Sequence, residues 1–430
     1  MNQSTLLPDS VTSMWINTIG LSVSLSVILV VNIFKFSLFP TTLSVLCLLA
    51  YAVPIIILEY KVLKTYRNTS TGLNFSNSAN TFNLKRIAIK LLGLYFTLFL
   101  VGLIYWIFPH YSEPIYYHYF SLLKSLLPLI IGISVPYFII VDRYMVEPKD
   151  VYWELGRLCL FNFKLVPRKR LLQHALAWIV KLFFLPLMFT YFFDLVLFFQ
   201  VTSLAAIKIS FMHFFDFAFK FLVYVDLLIG TVGYIITLRI FDSHVRTTEP
   251  SFLGWFVVLQ CYPPFSEFFN GTYLAYGSEN SWSYWLIDHP FLYQTWGCLI
   301  LALTTIYVWS SLPFGIRFSN LTHRGIITNG PYKYCKHPAY ISKNLSWWLI
   351  SMPFLSTVSP SDAIKHSLLL LMVNFVYFLR ARTEERHLSW DTDYVAYANY
   401  IEVNGTFSYI GKMLPFLKFK KNRILNFSDY

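Results

Sequence analysis

The sequence predicts an all-α polytopic transmembrane bundle of about ten spans, and three observations carry that prediction. Of 430 residues, 56% are hydrophobic and only 13% are charged, whereas a soluble domain carries about 25% charged residues. Aromatic residues reach 19%, which suits a bilayer and its interfaces. The basic residues recur in the gaps between long apolar runs instead of forming one patch, which argues for membrane contacts and against nucleic acid. Disorder, a coiled coil and a disulfide-stapled secreted domain are excluded. The five cysteines are scattered and contain no CxxC, so they set up neither a disulfide framework nor a metal site.

About 20 apolar residues cross the hydrocarbon core as a helix. That criterion places spans at 14–34, 40–60, 88–108, 121–141, 174–199 and 212–240, then at 252–270, 291–313, 342–358 and 363–381. The leader before the first run has no basic n-region, so that run reads as a true span. The seventh is the weakest, because Cys261-Tyr262-Pro263-Pro264 interrupts it, and a broken or re-entrant segment is expected there. With the N-terminus inside, 28 of the 34 Lys and Arg residues fall in segments 61–90, 142–173, 239–252, 314–343 and 380–430. That asymmetry places both termini in the cytoplasm. The chain is thus expected to be a multi-pass integral membrane protein of the cytoplasmic membrane in a bacterium, or of the endoplasmic reticulum in a eukaryote.

The first 290 residues read as an N-terminal bundle of about seven spans. No internal repeat marks it as a transporter. Segment 66–83, rich in Asn and Ser, reads as a flexible loop, and Asn270-Gly271-Thr272 is a sequon in an expected external loop. Asp216 and Lys220, four apart, are expected to form an intrahelical ion pair. Asp194, Asp226 and Glu267 have no partner visible in the sequence. Segment 239–250, with Asp242, His244, Arg246 and Glu249, either binds a headgroup or braces the C-terminal domain.

Residues 291–430 differ. In GIITNGPYKYCKHPAYISKNLSWW (325–348) a Gly-Pro turn and a basic-aromatic run lead into a membrane helix. Pro338 suits the first turn of that helix, where a missing N–H costs nothing. The free N–H groups there, beside Lys333, Lys336 and His337, can hold a carboxylate or phosphate. A positive-inside anchor accounts for the same residues. The tenth span then runs into RARTEERHLSW from Arg380, where Glu384 and Glu385 face different sides of one helix. Tyr394, Tyr397 and Tyr400 are expected to form an aromatic stripe on the membrane surface, and the two blocks together a lid over a helical hairpin.

The block from Gly325 to Tyr340, followed by Glu384, Glu385, Leu388 and spaced tyrosines, resembles the isoprenylcysteine carboxyl methyltransferase family, nearest to a bacterial subgroup. The resemblance covers about 291–410. It implies S-adenosylmethionine as cofactor, with Tyr332, His337, Pro338 and Tyr340 shaping its pocket and Glu384 and Glu385 holding its ribose hydroxyls or amino group. Arg380 or Lys336 would steady a carboxylate of the donor or the acceptor, and Lys336, His337 and Arg380 are the catalytic candidates. Lys336 stands where the family has arginine, keeping the charge without the bidentate fork. The implied activity is methyl transfer to a lipophilic acceptor from the bilayer, with O-methylation of a carboxylate ahead of N-methylation of a phospholipid. A transporter with a degenerate C-terminus, and a sterol-reductase-like enzyme using NADPH, are the alternatives. No metal and no nucleic acid is expected.

Overall fold

A computed structural model describes residues 6–75, 82–162, 167–202, 207–277 and 280–419. Eight of its helices are long and apolar enough to cross a membrane. They contain α1 (Met14–Ile33), α2 (Pro40–Leu58), α3 (Leu84–Ile107), α4 (Tyr117–Tyr144), α6 (Arg168–Val201), α7 (Phe211–Ile235), α11 (Pro290–Ser311) and α13 (Pro360–Leu388). The short α5 (Val151–Cys159) lies along α3. Apolar character alone does not decide position in such a bundle, because lipid and protein interior both accept Leu and Phe. Burial separates the helices. In α6 61% of the apolar window is inside the protein, whereas in α3, α4 and α13 only 22% is. The core cluster accordingly centres on α6 and α7, around Phe184, Phe192, Tyr224 and Leu228.

The two remaining sequence spans take other forms. Residues 252–270 are broken, as the prolines require. α8 (Phe252–Leu259) stops before the Pro263-Pro264 turn, α9 (Phe265–Phe268) and a π turn come next, and α10 (Trp282–Leu286) ends the segment. One end lies at Arg386, which bonds Glu249 at 3.0 Å. The other lies at Tyr293, whose ring centroid is 4.9 Å from that of Trp282, so the segment runs from one end of the bundle to the other. The ninth span is α12 (Pro338–Ser351), which has Pro338 in its first turn as the sequence indicates and ends earlier than the apolar window 342–358 suggests. Its Leu349 carbonyl accepts from Trp296 near the start of α11 at 2.8 Å. Its first turn meets the end of α13, so α12 also runs along the bundle.

Three sequence expectations are corrected here. Lys220 lies 4.1 Å over the Phe198 ring, and no ion pair to Asp216 forms among the described residues. The sequon asparagine, Asn270, sits in the π turn and lines a small cavity inside the bundle instead of an external loop. Within 66–83 the part up to residue 75 is folded, with Asn68 and Ser70 each donating to Asp242 at 2.8 Å. Residues 76–81 lie outside the described residues.

Segment 239–250 proves to be a brace. Asp242 is fully buried, and Thr247–Thr248 (β1) pairs antiparallel with Thr322–His323 (β2). Two buried arginines complete the junction. Arg317 grips Glu59 with one nitrogen at 2.8 and 2.9 Å and donates to the Asp242 carbonyl at 3.0 Å. Arg324 has no carboxylate partner among the described residues; its guanidinium donates to the carbonyls of Gly233, Ile236, Ser243, Ile316 and Phe318. This close approach needs Gly233, where a Cβ would lie 2.2 Å from the Phe318 carbonyl oxygen. Burial, reinforced by the charge of Arg317, pulls the Arg324 guanidinium down to about 9.

Two outcomes are expected for the purified chain in detergent. Arg324→Met keeps the volume but strips five carbonyls of their donor, and it should cost on the order of 3 kcal/mol, read as a fall in melting temperature. A melt equal to wild type would remove Arg324 from the junction. His244 lies beside this junction with its Nδ1 buried and unpartnered among the described residues. Burial, then the charges of Arg239, Arg246, Arg324 and Arg317, holds it well below the usual histidine range. A depressed folded value means its contribution is complete above the unfolded pKa of about 6.5 and is lost as pH falls below it. Melting temperature should therefore drop as pH goes from 7 to 5, and His244→Gln should flatten that part of the profile.

Candidate functional site

At the end of the bundle where α12 starts and α13 stops, the chain encloses a cavity of about 160 Å³. Its wall is built from the turn after α11, the loop 318–332, the first turns of α12, the last turns of α13, and α14 (Thr392–Asn404). Gly325 opens the motif with φ of +109°, a backbone state that glycine adopts without strain, and a Cβ there would lie 2.7 Å from Val11. The loop therefore turns under the N-terminal segment, where Val11 N–H donates to the Ile326 carbonyl at 3.1 Å.

The site residues expected from the sequence separate into two groups. Tyr332, Lys336, His337, Tyr340, Arg380 and Glu384 line the cavity. Pro338 and Glu385 are not among its lining residues. Pro338 is buried at N1 of α12, fixing the helix start. Glu385, 4% exposed, is a hub. It accepts from Lys336 at 2.7 Å, from His337 at 3.1 Å and from Arg382 at 2.9 Å. Lys336 also reaches Glu402 at 2.6 Å. The Glu385 cluster thus clips the motif block at 336–337 to the end of α13, with α14 held through Glu402. Its charges are largely spent on one another, because a carboxylate in a low-dielectric site persists only when paired.

Glu384 points the other way. The Tyr340 hydroxyl donates to it at 2.6 Å, and it faces the cavity with capacity to accept more. The Tyr340 and His337 rings stack 5.5 Å apart at 5°. Arg380, 6% exposed, donates to Asn320 Oδ1 at 2.6 Å. Its guanidinium lies 5.1, 5.6 and 5.7 Å from the ring centroids of Tyr340, Tyr377 and Tyr262. Burial, with Glu384 next, raises the Tyr332 phenol well above its ordinary value, so that hydroxyl stays protonated. Tyr394 and Tyr397 do not form the membrane-surface stripe expected from their spacing. They are buried with Ile326 and Ala398, line the cavity, and Tyr397 donates to the Tyr332 carbonyl at 2.9 Å.

Sequence reasoning missed several lining residues. Glu249 comes from the brace before α8. Its Oε1 accepts from Arg386 and Ser251, while its Oε2 is buried without a partner among the described residues. Tyr262 comes from the broken crossing, and Tyr307 from α11, where its hydroxyl donates to Asp226 at 2.6 Å. Lys343 and Tyr377 complete the wall. One signal was present in the sequence: Lys336, Tyr340, Lys343 and Trp347 recur at helical spacing, as do Tyr377, Arg380 and Glu384. Polar residues on one face of a membrane helix mark a wet or ligand-bearing surface.

The cavity thus carries a free acid, an orphaned carboxylate oxygen, five cations, of which Arg380 and Lys343 have neither an ion pair nor a backbone-carbonyl partner among the described residues, and a set of aromatic faces. No curated protein and no solved structure matches the chain. A family model does, over residues 297–390, described as the isoprenylcysteine carboxyl methyltransferase (ICMT) family. That stretch holds α12, α13 and most of the cavity wall, so most of the cavity of this multi-pass membrane protein is built from residues that match the ICMT family model.

Proposed function

We propose that the protein is a methyltransferase that takes its methyl group from S-adenosylmethionine and passes it to a carboxylate on a lipophilic acceptor. The observation that carries this reading is the distribution of charge in the cavity. Glu384 and the orphaned Oε2 of Glu249 supply acceptors, and Arg380 and Lys343 supply cations. A buried carboxylate oxygen without a partner is costly, and a ligand hydroxyl or ammonium would relieve it. The donor is a nucleoside joined to a zwitterionic amino acid, so it needs both signs of charge and flat surfaces. The residues present fit it.

In this reading Glu249 and Glu384 hold the ribose hydroxyls or the α-ammonium, and the rings of Tyr332, Tyr340 and Tyr394 enclose the apolar faces. When bound, S-adenosylmethionine supplies a methyl group on a sulfonium, which an oxygen takes by in-line displacement as the C–S electron pair returns to sulfur. A carboxylate acceptor is ionised near neutral pH and needs no general base. The chain's own task is alignment, which can supply much of the rate. Arg380, fixed by Asn320 and three rings, orients the attacking carboxylate. The aromatic walls keep water out, so that charge neutralisation in the displacement proceeds in a dry site. His337, bonded to Glu385, is a positioning residue for the start of α12.

The test is calorimetric titration of the detergent-purified full chain with S-adenosylhomocysteine. Saturable binding is expected. Glu384→Gln and Glu249→Gln, which keep shape and remove charge, should each weaken it about tenfold, or about 1.4 kcal/mol. Wild-type protein that is folded by its melting transition yet binds nothing would overturn the reading.

A further inference from the structure

A carboxylate inside a membrane bundle is costly unless a basic group stands beside it. Among the described residues, the buried and half-buried carboxylates meet that condition with two exceptions. Glu59 has Arg317, Asp142 has Arg86 and Lys90, and Glu154 has Arg170. Asp150, Asp242, Glu249 and Asp362 each have a Lys, Arg or His within ion-pair distance, as do Glu385, Asp391 and Glu402. Glu384 and Asp226 form no ion pair among the described residues. Each accepts instead from a tyrosine hydroxyl at 2.6 Å, Glu384 from Tyr340 and Asp226 from Tyr307, and both tyrosines line the site cavity. Glu384 belongs to a motif block. Asp226 comes from α7, outside the family-matched residues 297–390.

Both oxygens of Asp226 are covered. Tyr307 donates to Oδ2, and Ser311 donates to Oδ1 at 2.5 Å. Neutral hydroxyl partners leave the negative charge in place, whereas a paired cation cancels it at a distance. That charge is felt in the cavity. After burial and the charge of Glu384, Asp226 is among the groups that raise the Tyr332 phenol on the facing loop. A hydroxyl whose proton is committed to a carboxylate can only accept from anything else, and Tyr307 and Ser311 both line the cavity. Lys343, 5.0 Å from the Tyr307 ring centroid, makes no ion pair with Asp226 among the described residues. Because cations line the same wall, a positively charged ligand atom is held there only where a negative field stands close to it.

We propose that Asp226, acting through the hydroxyls of Tyr307 and Ser311, is the counter-charge for the sulfonium of the methyl donor. The inference rests on the methyltransferase reading and deepens it by naming the residues that tell the charged donor from the neutral thioether left after transfer. A sulfonium has no N–H to donate, so it is held by field and by oxygen lone pairs, not by a hydrogen bond. A bare carboxylate beside the reactive methyl would itself be an attacking oxygen. Hydroxyls on both Asp226 oxygens keep the field and remove that competitor. In the transfer the acceptor oxygen bonds the methyl carbon, the C–S electron pair returns to sulfur, and the positive charge disappears. The attraction to Asp226 disappears with it, so the product is held less tightly than the donor. The gain lies in donor affinity and product release, and Asp226 is a positioning residue.

The probes are S-adenosylmethionine and S-adenosylhomocysteine, which differ by one methyl group and the charge it brings, titrated calorimetrically into the detergent-purified full chain. Wild type should bind the charged ligand several-fold tighter than the neutral one. Asp226→Asn, which keeps the shape, should weaken S-adenosylmethionine about tenfold and change S-adenosylhomocysteine less than twofold. Glu384→Gln is the contrast. It acts on groups common to both ligands and should weaken the two alike. The ratio of the two affinities is a readout that a purely structural role would not move. Equal or tighter binding of S-adenosylhomocysteine by wild type overturns the proposal without recourse to any variant. So does Asp226→Asn if it weakens both ligands equally or neither, which would leave Asp226 as a packing group or a distant counter-charge to Lys343. Those results sink the counter-charge alone, whereas folded wild type that binds neither ligand sinks the methyltransferase reading with it.

Discussion

The buried Arg324 guanidinium is the constraint on which the rest of the site depends. Its N–H donors gather accepting carbonyls from the end of α7, the 239–250 brace and the turn after α11 around one guanidinium. Such carbonyls would otherwise be unpaired at the close of their helices, away from water, which is the costly state for backbone polar groups. A planar fork with five donors fills that role, and a lysine could not reach all five partners. Because Arg324 directly precedes Gly325, the same guanidinium fixes where the motif loop begins. Arg317 and Glu59 tie the end of α2 to that turn. The N-terminal helices thereby become part of the cavity's frame.

That frame explains how the acids divide their work. Glu384 and Glu385 are neighbours on α13, so their side chains leave the helix about 100° apart. Glu385 enters a cluster of Lys336, His337 and Arg382, and its charge is consumed in holding α12 to α13. Glu384 turns to the cavity with a tyrosine hydroxyl as its partner. Adjacent residues thus serve clamp and pocket. The same logic separates Lys336, which is paired twice, from Lys343 seven residues on, which has rings around it and no ion pair among the described residues.

Much of the fold was legible in the sequence, because a bilayer leaves few choices. Eight long apolar helices and the proline-broken seventh segment follow from run length and from the missing N–H of Pro263 and Pro264. The end of α12 was misplaced because hydropathy alone set it, whereas the helix stops at Ser351, with Met352 in the left-handed region just before Pro353. The tyrosines of α14 were misread because spacing gives the face of a helix but not what lies against it. Ile326 and Tyr332 cover that face, and nothing near 394–400 in the chain reveals them.

The sequence by itself determined the helical membrane-protein class, the two motif blocks and six of the polar residues at the site. Those features arise from local periodicity and from the cost of charge in hydrocarbon, both of which act along a few turns of chain. Only the tertiary structure decided which charges are spent and which are free. Glu249 reaches the cavity from more than 130 residues before Glu384, and the broken crossing brings Cys261 to Lys343 and Tyr377. Pairing depends on which helix ends meet, and that is set by packing and by the arginine-bound junction, not by any pattern within a single segment.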